Sequence, residues 1–352
     1  MTAITTSWGI STGSGRNQHT LIIPLLVAKL AISAAVSVAT GAVAIDLTSL
    51  PGILFGNDDA TARDTVIVWS VRLPRTLLAM LVGAALASSG TILQGLFRNP
   101  LADRGLVGVS SGSVLAAVST IVIGQNVFGS IATVFLPVTA FIGGLLSTIL
   151  LYFIATRNGR TYTATMLLGG VAISAIAMAL TGVLIFMSTE QQLREFTFWS
   201  LGSLSGATWE KAASVTLFML VVLGFWPLLS RGLDRLALGE SEAGHMGVNV
   251  QHLKRAAIIA TALLTGAAVA VSGAIGFIGL VVPHLLRLIM SPRHRFLVPA
   301  AALLGANLLL VADMIARTIV APAELPIGIV TACIGGPVFL WMLITNVRQL
   351  EI

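Results

Sequence analysis

Apolar runs long enough to cross a bilayer recur along the chain, each bounded by charge, proline or glycine. They lie at about 21–45, 66–94, 105–124, 131–155, 164–187, 213–229, 255–272, 275–291, 296–319 and 327–346. A spanning helix needs about 20 predominantly apolar residues, so the pattern predicts an all-α polytopic membrane protein with ten transmembrane helices. Only Ser272-Gly273 divides the seventh run from the eighth, and a continuous helix there would lower the count to nine. Residues 1–20 are polar and rich in Gly, Ser and Thr, and they lead into a long apolar run rather than a short core with a small-residue cleavage site. This predicts a cytosolic tail and a retained first helix, followed by a single transmembrane domain over 21–352.

Composition agrees with the pattern. Of 352 residues, 56% are hydrophobic and 10% charged, against roughly 25% charged in a soluble domain, which leaves no room for a large soluble unit. The chain carries 20 basic and 14 acidic residues, a formal charge of +6. Such an excess fits either nucleic acid or membrane-facing loops, and the hydropathy selects loops, with no nucleic-acid partner. Short cytoplasmic loops collect Lys and Arg. With the N-terminus inside, fourteen of the basic residues fall on the cytoplasmic side, among them Arg98, Arg104, Arg157, Arg160, Arg231 and Lys254. Nine acidic residues fall outside or near it, including Asp46, Asp58, Asp59, Asp64, Asp313 and Glu324. An even number of crossings with both termini cytoplasmic fits this bias.

An internal echo joins the second and seventh runs. GAALASSG, Gly83 to Gly90, matches GAAVAVSG, Gly266 to Gly273, at six of eight positions, and Pro100 and Pro283 follow at the same offset. Small-residue repeats arise easily in membrane helices because they allow close packing. If the echo marks a true repeat, the two copies start on opposite sides of the membrane, and inverted repeats are a mark of transporters.

Catalytic or metal chemistry finds little support. The five His are scattered and the single Cys333 excludes a disulfide framework. No Gly is followed by Lys, so no Gly-x-x-x-x-Gly-Lys-Ser/Thr phosphate loop is present. Ionisable residues within spans are functional candidates by default. Asp313 is the deepest, with Arg317 one helical turn further on, so the plainer reading is an intrahelical ion pair rather than a proton or cation site. Two loops carry more information. GLFRNPLADRGLVGVSSGS breaks a helix at Asn99-Pro100 and restarts it past closely spaced glycines, as a segment lining or closing a pathway would; a plain turn is the alternative. LALGESEAGHMGV, Leu236 to Val248, is too short and polar to span, and its short helical pieces suit docking into a cleft on a partner; a solvated linker is the alternative.

These motifs converge. WSVRLPR, GAALASSG, Gln94, RNPLAD, GVSSG, LALGE, GAIGFIGLVVPHLLR and ELPIGIVTACIGGPVFLW, in this order over nearly the whole chain after residue 60, strongly resemble the FecCD-type permeases. These are membrane subunits of ABC importers for ferric siderophores, haem and vitamin B12. The resemblance implies a type II ABC importer permease fold in the bacterial inner membrane, working as a homodimer in lipid. It also implies two separate ATPase subunits carrying the ATP-Mg, and a periplasmic or surface substrate-binding protein. The chain itself would hold no cofactor or metal and would be no enzyme. Asn99 and Leu101 match the family's cytoplasmic gate, and Tyr162 and Thr163 a second constriction, although Tyr162 stands where the vitamin B12 permease has a smaller residue. Leu236, Gly239, Glu240, Glu242 and Gly247 match the segment that couples to the ATPase. Arg72 and Arg317 match outward arginines that pair with glutamates of the binding protein, a task suited to the planar guanidinium fork. Arg104 replaces a common proline. FTFWSLGSLSGATW together with GLFRNPLAD looks most like haem permeases, and Arg194 stands where it can meet a haem propionate at the outer mouth, a headgroup or binding-protein contact being the alternative. Ferric siderophore or corrinoid cargo, or a secondary transporter acting alone, are the competing functions.

Overall fold

The computed structural model describes residues 18–41, 45, 50–55, 62–129, 131–321 and 323–350. Residues 1–17, with most of the polar tail, and Asp46, Asp58 and Asp59 lie outside the described residues, as do the side chains of Arg104 and Arg348.

The chain opens with α1 (Gln18–Ala39) and α2 (Leu50–Phe55). Then α3 (Ala62–Ile67) runs through a π-helical turn, Val68–Arg72, into α4 (Leu73–Phe97). After a 3-10 turn at Arg104–Val107, α5 (Val109–Ser119) continues through a second π-helical turn, Thr120–Gly124, into α6 (Gln125–Phe128). Next come α7 (Ile131–Val134), α8 (Leu136–Ala155), a hairpin of β1 (Thr156–Arg157) and β2 (Arg160–Thr161), α9 (Thr163–Phe186) and α10 (Glu190–Ser200). The remainder is α11 (Trp209–Leu236), α12 (Glu240–His245), α13 (Val250–Ser272), α14 (Ile278–Ile289), α15 (His294–Thr318) and α16 (Ile327–Leu350). Each of the ten apolar runs contains a helix, although the first overruns α1, which ends at Ala39, and the eighth begins in non-helical backbone before α14. Among the described residues, eight helical segments are long and apolar enough to cross a membrane, and α14 and Ile327–Met342 are shorter apolar helices. The 12 residues of α14 reach only about 18 Å, short of the roughly 30 Å hydrocarbon core. The break between the seventh and eighth runs is real: Gly273, at φ 70°, ends α13, and Phe277, at φ 65°, starts α14.

The core is built on α4, packed against α11, α13, α14 and α15. The reason is the small-residue face of GAALASSG: a Cβ on Gly83 would run into the carbonyl of Gly305 on α15, and one on Gly90 into that of Gly279 on α14. Only glycine permits such backbone approach. The echo of this octet in α13 does not occupy equivalent positions. Gly90 lies inside α4 whereas Gly273 caps α13, and Pro100 lies in a turn whereas Pro283 is inside α14.

Each π-helical turn frees backbone carbonyls, and a neighbouring side chain takes them up. The Trp209 indole donates to the carbonyl of Trp69 at 3.0 Å. The buried Gln192 amide donates to those of Ile121 at 3.2 Å and Val122 at 3.4 Å, while Gln192 also completes a capping box with Thr189 at the start of α10.

Candidate functional site

One end of the bundle gathers the 98–108 loop, the hairpin and α12. Helix α4 closes with Arg98 in the left-handed region at φ 50° and the Asn99 amide donating to the Gln94 carbonyl at 3.1 Å, a Schellman closure followed by Pro100, which cannot continue the helix. Asn99 is exposed, and its side-chain oxygen accepts from the Leu101 amide at 2.9 Å. Leu101 is left 40% exposed. Asp103 accepts from Gly105 at 3.4 Å to cap the following turn. That turn packs on α9, where Ser174 donates to the Gly105 carbonyl at 3.4 Å and pairs with Ser111 at 3.1 Å. The hairpin closes through Asn158 and Gly159, both at positive φ, and delivers Tyr162, 49% exposed, and Thr163 at the start of α9. Among the described residues no hydrogen bond joins Asn99 or Leu101 to Tyr162 or Thr163; the two stretches meet through α9 instead.

The α11–α13 connection divides the sequence-derived docking residues. Leu236 is 1% exposed and belongs to the core at the end of α11, so it offers no docking surface. Gly239, at φ 125°, turns the chain into α12, and Gly247, at φ 79°, turns it out again. Glu240 and Glu242 are exposed at the start of α12, beside two exposed apolar side chains, Leu238 at 68% and Met246 at 40%, that sequence reasoning missed. The surface is therefore mixed, apolar with acidic neighbours. Nearby, buried Gln94 accepts from the Arg287 guanidinium of α14. His294, heading α15, contacts Asp234 of α11 through Nδ1 at 2.8 Å.

The opposite end holds a buried charge cluster. Arg75 grips Asp313 through Nε at 3.0 and 3.2 Å and Nη2 at 2.9 Å, and Glu324 through Nη1 at 2.8 and 3.0 Å. Asp313 is fully buried, and its main partner is Arg75; the expected Arg317 pairing is present but longer, at 3.5 Å. Arg72 and Arg317 are 4% and 7% exposed. Arg72 donates to the carbonyls of Val38 and Ala39, both at 2.7 Å, and Arg317 donates to the Ser37 carbonyl at 2.9 Å and hydroxyl at 2.7 Å. Both tie α1 to the core, because the last carbonyls of a helix need donors, and this differs from the outward presentation that the resemblance implies. Arg194 is exposed on α10.

The profile of the FecCD transport family matches residues 29–345. Over 340 residues the chain is 46% identical to the hemin transport system permease protein HmuU of Yersinia pestis, covering 96% of this chain and 99% of that protein. It is 43% identical over 292 residues to the vitamin B12 import system permease protein BtuC of Salmonella paratyphi A, covering 83% and 87%. Among solved structures, one described as an inward-facing conformation of a metal-chelate type ABC transporter superposes with a TM-score of 0.81 at 32% identity, covering 92% of this chain and 99% of that one.

Proposed function

The chain belongs to the FecCD transport family, and from that premise we propose that it carries haem inward across the bacterial inner membrane. It is the permease of an ABC importer, and ATP is hydrolysed by a separate subunit. Haem as cargo rests on one observation: the similarity to the hemin permease runs the length of both chains. The similarity to vitamin B12 permeases favours corrinoid as the second reading.

The working unit is a homodimer of ten-crossing subunits with both termini cytoplasmic, the short α14 completing its passage through the non-helical stretch Gly273–Phe277. The end bearing Leu238, Glu240, Glu242 and Met246 faces the cytosol and seats the ATPase, whose differential contacts with two states drive the switch. Asn99, Leu101, Tyr162 and Thr163 close the inner mouth. The binding protein docks at the opposite end, where the charge cluster fixes the shape of the docking face, and Arg194 meets the cargo's carboxylates. Vesicles containing the matched ATPase and binding protein test the cargo: ATP-dependent accumulation of haem over a ferric siderophore and cobalamin is expected. Preferential cobalamin uptake would move the assignment to the second reading.

A further inference from the structure

The free edge of β2 is closed by helix side chains rather than by a third strand. Register pairs Thr156 with Thr161 and Arg157 with Arg160, and the amide and carbonyl of Thr161 are both taken up by α13. The Thr161 amide donates to the Gln251 side-chain oxygen at 2.8 Å, and Lys254, one turn along, donates from Nζ to the Thr161 carbonyl at 2.8 Å. The same Nζ meets Glu240 Oε1, at the first position of α12, at 2.8 Å. Lys254 is buried, its side chain 4% exposed, while Glu240 is 42% exposed. A buried ammonium survives only when its donors are occupied, so Lys254 is held by two partners on different elements. One lies on α12 and the other immediately precedes Tyr162 and α9. A shift of α12 relative to α13 must either leave the buried ammonium without its carboxylate or carry Lys254, and with it the hairpin, along.

We propose that Lys254 is a positioning residue that transmits displacement of α12 to the Tyr162–Thr163 constriction through its paired contacts with Glu240 and the Thr161 carbonyl. This rests on the reading of α12 as the ATPase seat. Gln251 keeps the hairpin in register with α13 so that the pull is delivered to the start of α9 rather than lost as rotation of the strand.

The test uses the complete transporter with the exposed Cys333 replaced by serine and a spin label on Arg157→Cys, read with and without a non-hydrolysable ATP analogue. The unsubstituted relay should show a nucleotide-dependent change in label mobility. Lys254→Met should still bind the ATPase but lose that change, with uptake per ATP hydrolysed falling about tenfold, within the usual range of inter-site coupling. Lys254→Arg should recover part of both. Glu240→Gln, on an exposed side chain, keeps the test decisive if Lys254→Met does not fold: it should reduce the label response, and the pair should be non-additive in a double-mutant cycle. A full label response in Lys254→Met, or in Glu240→Gln where only that variant folds, would overturn the relay. So would loss of ATPase binding by Lys254→Met, whose side chain is buried away from the docking surface, since the contact would then serve docking. Failure of the unsubstituted chain to bind any ATPase would overturn the reading of α12, and the relay with it.

Discussion

Arg75 shows most clearly what a single side chain does here. Its fork holds a fully buried aspartate and a second carboxylate, joining α4, α15 and the segment before α16. Removing one partner of a buried pair leaves an uncompensated charge and costs on the order of 3–5 kcal/mol. Arg75→Leu should therefore lower the melting temperature of purified protein more than Arg317→Leu does, because Arg317 meets Asp313 at 3.5 Å. Arg75→Leu combined with Asp313→Leu should be milder than the summed singles; an additive double variant would show that the two do not act as a pair. The sequence made Asp313 and Arg317 visible as partners because they are one turn apart. Arg75 lies 238 residues from Asp313, and no local spacing rule reaches across that distance.

At the scale of elements, irregular backbone is kept only where something satisfies it. The turn at Thr120–Gly124 leans on Gln192, so Gln192→Ala strands buried carbonyls and weakens the cap of α10 together. About 1–3 kcal/mol is expected for such a loss, read as reduced thermal stability and faster proteolysis within 188–206; unchanged stability would mean water replaces the amide. The crossing of α4 and α15 depends on absent side chains. Gly83→Val places methyls against the Gly305 carbonyl, and overpacking costs at least about 1–3 kcal/mol, so folded yield should fall sharply, with Gly305→Ala unable to rescue it. The positions of the eight long apolar helices and of the two shorter ones follow from apolar run length. The π-helical turns, the 12-residue length of α14 and the positive φ of Phe277 leave no mark in hydropathy, since they answer to neighbours distant in sequence.

For the whole molecule, the two ends differ in kind. One is a lattice of buried charges that fixes helix positions, and the other presents a mixed apolar and acidic surface on a short helix. Leu238→Asp should abolish binding of the ATPase while membrane insertion stays normal, measured by co-purification; retained co-purification would remove α12 from the interface. Leu236→Asp should instead prevent folding, because Leu236 is core. That contrast separates an exposed residue proposed for docking from the buried one the motif suggested.

Hydrophobic run length decided the class and the order of the long apolar helices, since insertion in a bilayer depends on local apolar length. Motif order alone marked the chain as a permease that relies on a separate ATPase. Tertiary packing decided the rest: that Arg72 and Arg317 face inward to the end of α1, that Asp313 answers to Arg75, and that Leu238 and Met246 are exposed while Leu236 is buried. Each of these depends on which groups from remote segments come within hydrogen-bond or van der Waals reach, and only the folded bundle sets that distance.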